Sequence, residues 1–167
     1  MIAQTFALLL ITALPLCAST GTGAGLPSWN KYYFDGQEFR EGTAAAGRSV
    51  YRRAGYVPVL KRGDEQPRED KLPPGTGGLI VLCYIQTAGG KLQDHSGYLP
   101  LAGAAVEIRE EKRILTIRTD EEGYLALALP AGKYDVRVQG LGLTRKVRIE
   151  KGKTALVAIR AGKRMVD

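Results

Sequence analysis

Histidine and cysteine are nearly absent from this chain of 167 residues, which contains one histidine and two cysteines. A zinc site built on several histidines is therefore excluded, because zinc in proteins takes its ligands mainly from cysteine and histidine. A hydrolytic enzyme would have to combine His95 with a serine or Cys83, and His95 lies in a polar segment typical of a solvated loop. That enzyme is the most distant alternative. We predict no enzymatic activity and no cofactor.

Phosphate-binding and metal-binding motifs are lacking as well. The sequence has no Walker loop, and no GxGxxG fingerprint stands between a strand and a helix. Three consecutive carboxylates, Asp120, Glu121 and Glu122, supply the oxygen ligands that calcium takes, but such a run is most often an ordinary turn. We predict no metal site.

Charge is missing from the beginning of the chain, where no charged side chain precedes Lys31. Residues 2–16 form an apolar run that Pro15 interrupts, and it is short for a bilayer span, which needs about 20 apolar residues. Small residues follow from Ala18, as a signal peptidase site requires. We predict that residues 1–18 are a signal peptide and that the protein is exported to the periplasm, the outer surface or the extracellular space.

Two alternatives attach the chain to a membrane. A cysteine after a short apolar segment resembles the acylated cysteine of bacterial lipoproteins, which makes Cys17 a lipidation site, although Leu16 stands where that pattern has a small residue. An uncleaved segment would instead be an anchor. Cleavage after Ala18 leaves Cys83 as the one cysteine, in an apolar run that predicts a small buried side chain and no disulfide.

Residues 19–76 show no clear periodicity. The segment is first rich in glycine, then aromatic from Trp29 to Phe39, and later almost wholly polar up to the Pro73-Pro74 pair. This composition is typical of a linker. We predict a poorly regular extension with at most one short strand, at residues 56–60.

From Gly77 onward, short apolar and polar alternations recur at regular spacing. One example is Tyr134, Val136 and Val138, which alternate with polar residues, and a turn signal such as residues 120–123 (DEEG) stands in each gap. Seven such segments within about ninety residues predict an all-β protein with a single antiparallel Greek-key β-sandwich at residues 77–164.

Three blocks carry a family resemblance. Residues 100–106 (PLAGAAV), 119–124 (TDEEGY) and 129–136 (LPAGKYDV) resemble, in order, the motifs of the carboxypeptidase regulatory-like, transthyretin-like domain. We expect folding roles for three residues of these blocks: Asp120 can bond to the amides of its own turn, Gly123 allows a positive φ, and Tyr134 can bury its ring while its hydroxyl reaches backbone. The resemblance implies a non-enzymatic module.

The resemblance extends to the Cna-B modules of pilins, which often carry an isopeptide bond between a lysine and an asparagine. The predicted first strand, residues 79–86, contains no lysine, and the single asparagine of the chain, Asn30, is not in the last strand. An isopeptide of that kind is therefore excluded.

Positive charge concentrates toward the end of a chain whose net charge is +7. Because a basic surface attracts polyanions, we predict that it binds an acidic protein partner, an anionic polysaccharide or the envelope surface, and not nucleic acid, since the protein is exported. The alternative is that these lysines and arginines form a solvated face without a ligand, where they only prevent edge strands of neighbouring molecules from pairing. The predicted binding residues are Arg145, Lys146, Arg148, Lys151, Lys153 and Arg160.

Surplus apolar residues make a second candidate surface. The first predicted strand is apolar on both faces, and the resembled fold places it beside the last strand, so Ile80, Leu82 and Leu156 form an apolar stripe. Something must cover this stripe, either the aromatic extension or another chain, which would give homo-association through the first and last strands. The alternative use of the aromatics is a carbohydrate-binding platform of Trp29, Tyr32 and Tyr33.

Overall fold

The computed structural model describes residues 28–44, 47–89 and 97–166, and every regular element within them is a β-strand. The predicted signal segment with Cys17 and the segment with His95 lie outside the described residues. The strands are β1 (Asn30–Phe34), β2 (Phe39–Glu41), β3 (Ser49–Arg52), β4 (Val59–Lys61), β5 (Thr76–Gly89), β6 (Gly97–Pro100), β7 (Ala105–Glu110), β8 (Arg113–Arg118), β9 (Tyr124–Pro130), β10 (Gly132–Val138), β11 (Thr144–Ile149) and β12 (Thr154–Val166).

Strands β5 to β12 form the predicted β-sandwich. Sheet I has the order β11-β10-β7-β8, and sheet II has β5 at its centre, with β12 on one side and both β9 and β6 on the other. The chain changes sheets four times: between β6 and β7, between β8 and β9, between β9 and β10, and between β11 and β12. The all-β sandwich is thus confirmed. Its predicted seven strands correspond to β5 and β7 to β12, and β6 is the strand that the sequence did not reveal.

The core lies between the two sheets. Alternate residues of β10, Tyr134, Val136 and Val138, are buried there against Leu79 and Val81 of β5. The Tyr134 hydroxyl donates a hydrogen bond to the Pro130 carbonyl at 2.9 Å, which satisfies the polar end of the buried ring. The role predicted for Tyr134 is confirmed.

The turn before β9 closes as its sequence predicts. Asp120 Oδ1 accepts hydrogen bonds from the amides of Glu122 and Tyr124, both at 2.9 Å. Gly123 has a φ of 76°, and a Cβ at this position would lie 2.6 Å from the Cys83 carbonyl oxygen. Only glycine fits here, because a side chain would meet both the steric cost of this φ and the neighbouring strand.

The sandwich is antiparallel, as predicted, except at one pair, where β5 and β12 run parallel from Thr154 opposite Gly78 to Val166 opposite Gly89. The turn after β11 delivers the chain to the end of sheet II where β5 begins, and the Gly78 amide donates to the Lys153 carbonyl there. The alternation of side chains between two faces is the same for either strand direction, so the sequence pattern did not reveal this pairing.

The prediction of a poorly regular extension is also wrong. Residues 30–61 form an antiparallel sheet of order β2-β1-β3-β4, which we call the N-terminal sheet. Its strands are three to five residues long, too short for a period-two pattern to stand out from the surrounding glycines and charges. The predicted strand at residues 56–60 overlaps β4.

The N-terminal sheet covers the apolar stripe of sheet II. Phe34 and Val50 are buried against Ile80, Leu82 and Tyr84, which lie on the face of β5 opposite the sandwich core. The Phe34 ring centroid is 4.7 Å from that of Tyr84. Of the two covers that the sequence left open, the extension of the same chain or another chain, the structure shows the extension.

The charged segment after β4 folds back onto the N-terminal sheet. Tyr51, which is 1% exposed, donates its hydroxyl proton to the Gly63 carbonyl, and Lys31 pairs with Asp64 at 2.6 Å. Arg53 pairs with Glu69 at 2.5 Å. These contacts hold the charged segment against the N-terminal part of the chain, so it is not a free linker.

Candidate binding surfaces

Basic side chains crowd the face of sheet I that points away from the core. The alternation that buries Tyr134 and Val136 of β10 turns Lys133, Asp135 and Arg137 outward, and the strand register aligns the neighbouring strands in the same way. We call the resulting surface the basic face. Its basic residues, all of them exposed, are Arg109, Arg118, Lys133, Arg137, Lys146 and Arg148.

Two carboxylates lie among these cations. Glu107 is 8% exposed and accepts hydrogen bonds from Gln139 Nε2 at 3.0 Å and Arg137 Nε at 2.6 Å. The hydrogen bond from Gln139 has the largest effect on the pKa of Glu107, followed by that from Arg137. Both lower this pKa, because they favour the charged form of the carboxylate. Asp135 lies between Arg109 and Lys146 in the cross-strand register. The cations outnumber the carboxylates, so the face is positive.

The basic face contains a shallow groove of about 400 Å³. Its charged lining consists of four cations, Arg109, Lys133, Lys146 and Arg148, and two carboxylates, Glu111 and Asp135. Within the described residues, Lys133, Lys146 and Arg148 have no carboxylate partner in an ion pair. The groove therefore offers uncompensated positive charge to a ligand.

The sequence-predicted basic residues do not all meet on this face. Lys146 and Arg148 do, while Arg145 lies on the opposite side of β11. Lys151 and Lys153 belong to the turn between β11 and β12, where Lys153 pairs with Glu150 at 2.6 Å, and Arg160 on β12 donates to Gln86 at 2.8 Å. Four residues of the face, Arg109, Arg118, Lys133 and Arg137, were missing from the prediction, because only the register of β7, β8 and β10 aligns them with β11.

The predicted aromatic platform is not assembled on one surface. The Trp29 ring packs edge-on against Tyr56, with centroids 5.9 Å apart. Tyr32 lies at the margin of the cluster under the N-terminal sheet, with the Arg52 guanidinium 4.1 Å above its ring. Tyr33, the next residue of β1, points to the other face of that strand, as strand geometry requires.

The carboxylates of the turn before β9 bind arginines of the N-terminal segment. Arg48 pairs with Asp120 at 2.5 Å and with Glu122 at 2.9 Å, and Arg62 also binds Glu122. These contacts join Arg48 and Arg62 to the sandwich.

Among the described residues, no cluster of histidine, cysteine and carboxylate side chains is suited to a metal ion.

Cys83 is a core residue, as predicted. Its side chain is fully buried between the sheets, and burial raises the pKa of the thiol to about 12. The thiol therefore stays protonated at neutral pH, and a thiolate nucleophile is not formed.

Within the described ranges, no helix is long and apolar enough to cross a membrane.

No family model and no curated protein matches the sequence. The solved structures to which the chain is similar include the following two. One is the Bacillus anthracis TIE protein, with 21% identity over 69% of this chain and a TM-score of 0.40. The other is GBS52, the minor pilin of Streptococcus agalactiae, with 21% identity over 72% of this chain and the same TM-score. The chain spans 23% of the first protein and 60% of the second.

Proposed function

We propose that this protein is an exported, non-enzymatic structural and binding module of the cell envelope or outer surface, and that its basic face binds an anionic surface polymer. The observation that carries the proposal is the basic face itself. The folding roles of Asp120, Gly123 and Tyr134 support a carboxypeptidase regulatory-like module within this proposal.

The geometry of sheet I suits a repeating anion. Strands lie about 4.8 Å apart and alternate residues of one strand about 6.7 Å apart, so the sheet presents cations at short, regular intervals. Each Lys or Arg near an anionic surface contributes about 1 kcal/mol, and contacts to one polymer add along the sheet. The side chains stand on paired strands over a packed core, so little backbone order is lost on binding.

The test compares two triple variants that remove the same charge. Lys133→Gln, Lys146→Gln and Arg148→Gln together remove three of the four positive charges that line the groove, whereas Arg68→Gln, Lys71→Gln and Lys163→Gln remove three positive charges from exposed residues elsewhere. We expect wild type to bind immobilised polygalacturonate and not neutral dextran. The groove variant should bind polygalacturonate at least about tenfold more weakly, and the control variant should bind within about twofold of wild type. Equal losses in both variants would mean that net charge, and not the basic face, attracts the polymer.

A further inference from the structure

Strand β12 has one edge that pairs with no other strand in the described part of the chain. Among the described strands it pairs only with β5, along its whole length, and the Gly78 amide donates to the carbonyl of Lys153 just before β12 begins. Because consecutive residues of a strand direct their backbone groups to opposite sides, Thr154, Leu156 and Ala158 direct theirs away from β5. The Thr154 carbonyl indeed accepts a hydrogen bond from Arg52 at 3.4 Å on that side.

A groove of about 600 Å³ runs along this edge. Leu156 and Ala158 of β12 form one wall, and Tyr32 and Phe39 of the N-terminal sheet form the other. All four side chains are half-buried, and Gln37, Glu38, Arg52 and Thr154 also line the groove. The groove is therefore part apolar and part polar, and it has strand backbone on one side. Such a groove is suited to an extended chain, which gains main-chain hydrogen bonds from the edge and buries alternate side chains.

The groove continues into a basic cavity of about 270 Å³ at the start of β12. Asn30, Arg53 and Lys153 line this cavity, and Arg52 and Thr154 line both the cavity and the groove. The cavity therefore sets the chemistry of one end of a ligand that lies in the groove.

The cations of the cavity are only partly compensated. The Arg53 side chain is 4% exposed and its Nη1 pairs with Glu69, but its Nε is buried without an acceptor. Arg52 donates to the Tyr32 hydroxyl at 2.7 Å and, within the described residues, has no carboxylate partner. A half-buried guanidinium without a counter-ion favours an anion beside it, because its charge is poorly solvated. Arginine is also well matched to a carboxylate, which it can bind with two parallel hydrogen bonds.

We propose that the free edge of β12 binds an extended peptide of a partner protein, and that a carboxylate at one end of this peptide occupies the basic cavity beside Arg52. The peptide adds a strand to sheet II and places apolar side chains between Leu156 and Phe39. This site is on the opposite side of the sandwich from the basic face and does not depend on it.

The test is a selection from a displayed library of random octapeptides against the whole protein. We expect the enriched peptides to carry Asp, Glu or a free carboxyl terminus at one end and alternating apolar residues along the rest. A synthetic enriched peptide should lose at least about tenfold in affinity for Arg52→Gln, and should bind Arg148→Gln as it binds wild type. Trp29, the only tryptophan, packs on Tyr56 beside Arg53 and reports binding by its fluorescence.

Backbone pairing is tested in the peptide, which leaves the protein unchanged. Two peptides are compared, one N-methylated at the odd residues and one at the even residues. One of them should lose binding and the other should keep an affinity within about threefold of the unmodified peptide, because only alternate amides face β12. Each of three results would overturn the proposal. The selection could enrich no acidic peptide, the enriched peptide could bind wild type and Arg52→Gln equally well, or N-methylation could leave binding unchanged in both registers. Since the Arg148→Gln control belongs to the basic face, failure here is separable from failure of the polymer-binding function.

Discussion

The packing of Phe34 determines whether the N-terminal sheet and the sandwich unfold together. Phe34 is 5% exposed, and its ring centroid lies 4.7 Å from that of Tyr84 and 4.9 Å from that of Tyr98. Replacing a buried phenylalanine by alanine costs about 3–5 kcal/mol, from lost burial and the cavity that remains. Phe34→Leu retains most of the apolar volume and loses the aromatic pairs, so its cost should be smaller, about 1–2 kcal/mol.

The assay is urea unfolding followed by two signals. Trp29 fluorescence reports on the N-terminal sheet, where it contacts Tyr56, and far-ultraviolet circular dichroism reports on all strands. We expect both signals to give one coincident transition in wild type, and Phe34→Ala to move that transition to lower urea without separating the signals. If the Trp29 transition moved alone, the two sheets would unfold independently. If Phe34→Ala changed neither signal, the N-terminal sheet would not pack on sheet II as described.

Three further predictions follow from single residues. Gly123→Ala should destabilise the protein by more than Gly103→Ala in thermal melts, because both pay about 1–2 kcal/mol for a left-handed backbone but only Gly123 also meets a neighbouring carbonyl; equal losses would refute the close approach. Cys83 should react with a thiol reagent at pH 8 only after denaturation, because burial raises its pKa to about 12; rapid reaction of the native protein would contradict its burial. Because the folded pKa of Glu107 is lowered, its contribution to stability is present above the unfolded pKa and lost as the pH falls through the folded value. Glu107→Gln should therefore reduce the loss of stability on acidification; identical acid titrations of the wild type and Glu107→Gln would argue against its bonds to Gln139 and Arg137.

The sandwich was predictable because its strands are long and regularly patterned. Tyr134, Val136 and Val138 alternate with exposed residues over the whole of β10, and the turn of Asp120 and Gly123 has only one conformation that suits its residues. Period-two burial and turn chemistry are local properties, so a single sequence reveals them.

The N-terminal sheet and the basic face were harder to predict from the sequence, because both depend on which strands pair with each other. Strands β2 and β4 are three residues each and become strands by pairing with β1 and β3, not by a pattern of their own. The basic face joins Arg109 and Arg118 to Lys146 across strands that are distant in sequence. Pairing register determines such neighbours, and the charge distribution along the chain, which pointed to basic residues between Arg145 and Arg160, does not encode it.

The central claim is that the basic face is the surface that meets an anionic polymer. Titration of isotope-labelled protein with short polygalacturonate oligomers, followed by backbone amide chemical shifts, tests this claim residue by residue. We predict that the shift changes concentrate on β7, β10 and β11 around Lys133, Lys146 and Arg148, and that they disappear in the groove triple variant. Changes centred on Trp29, Tyr32 and Tyr33, or spread evenly over all exposed lysines and arginines, would contradict the account.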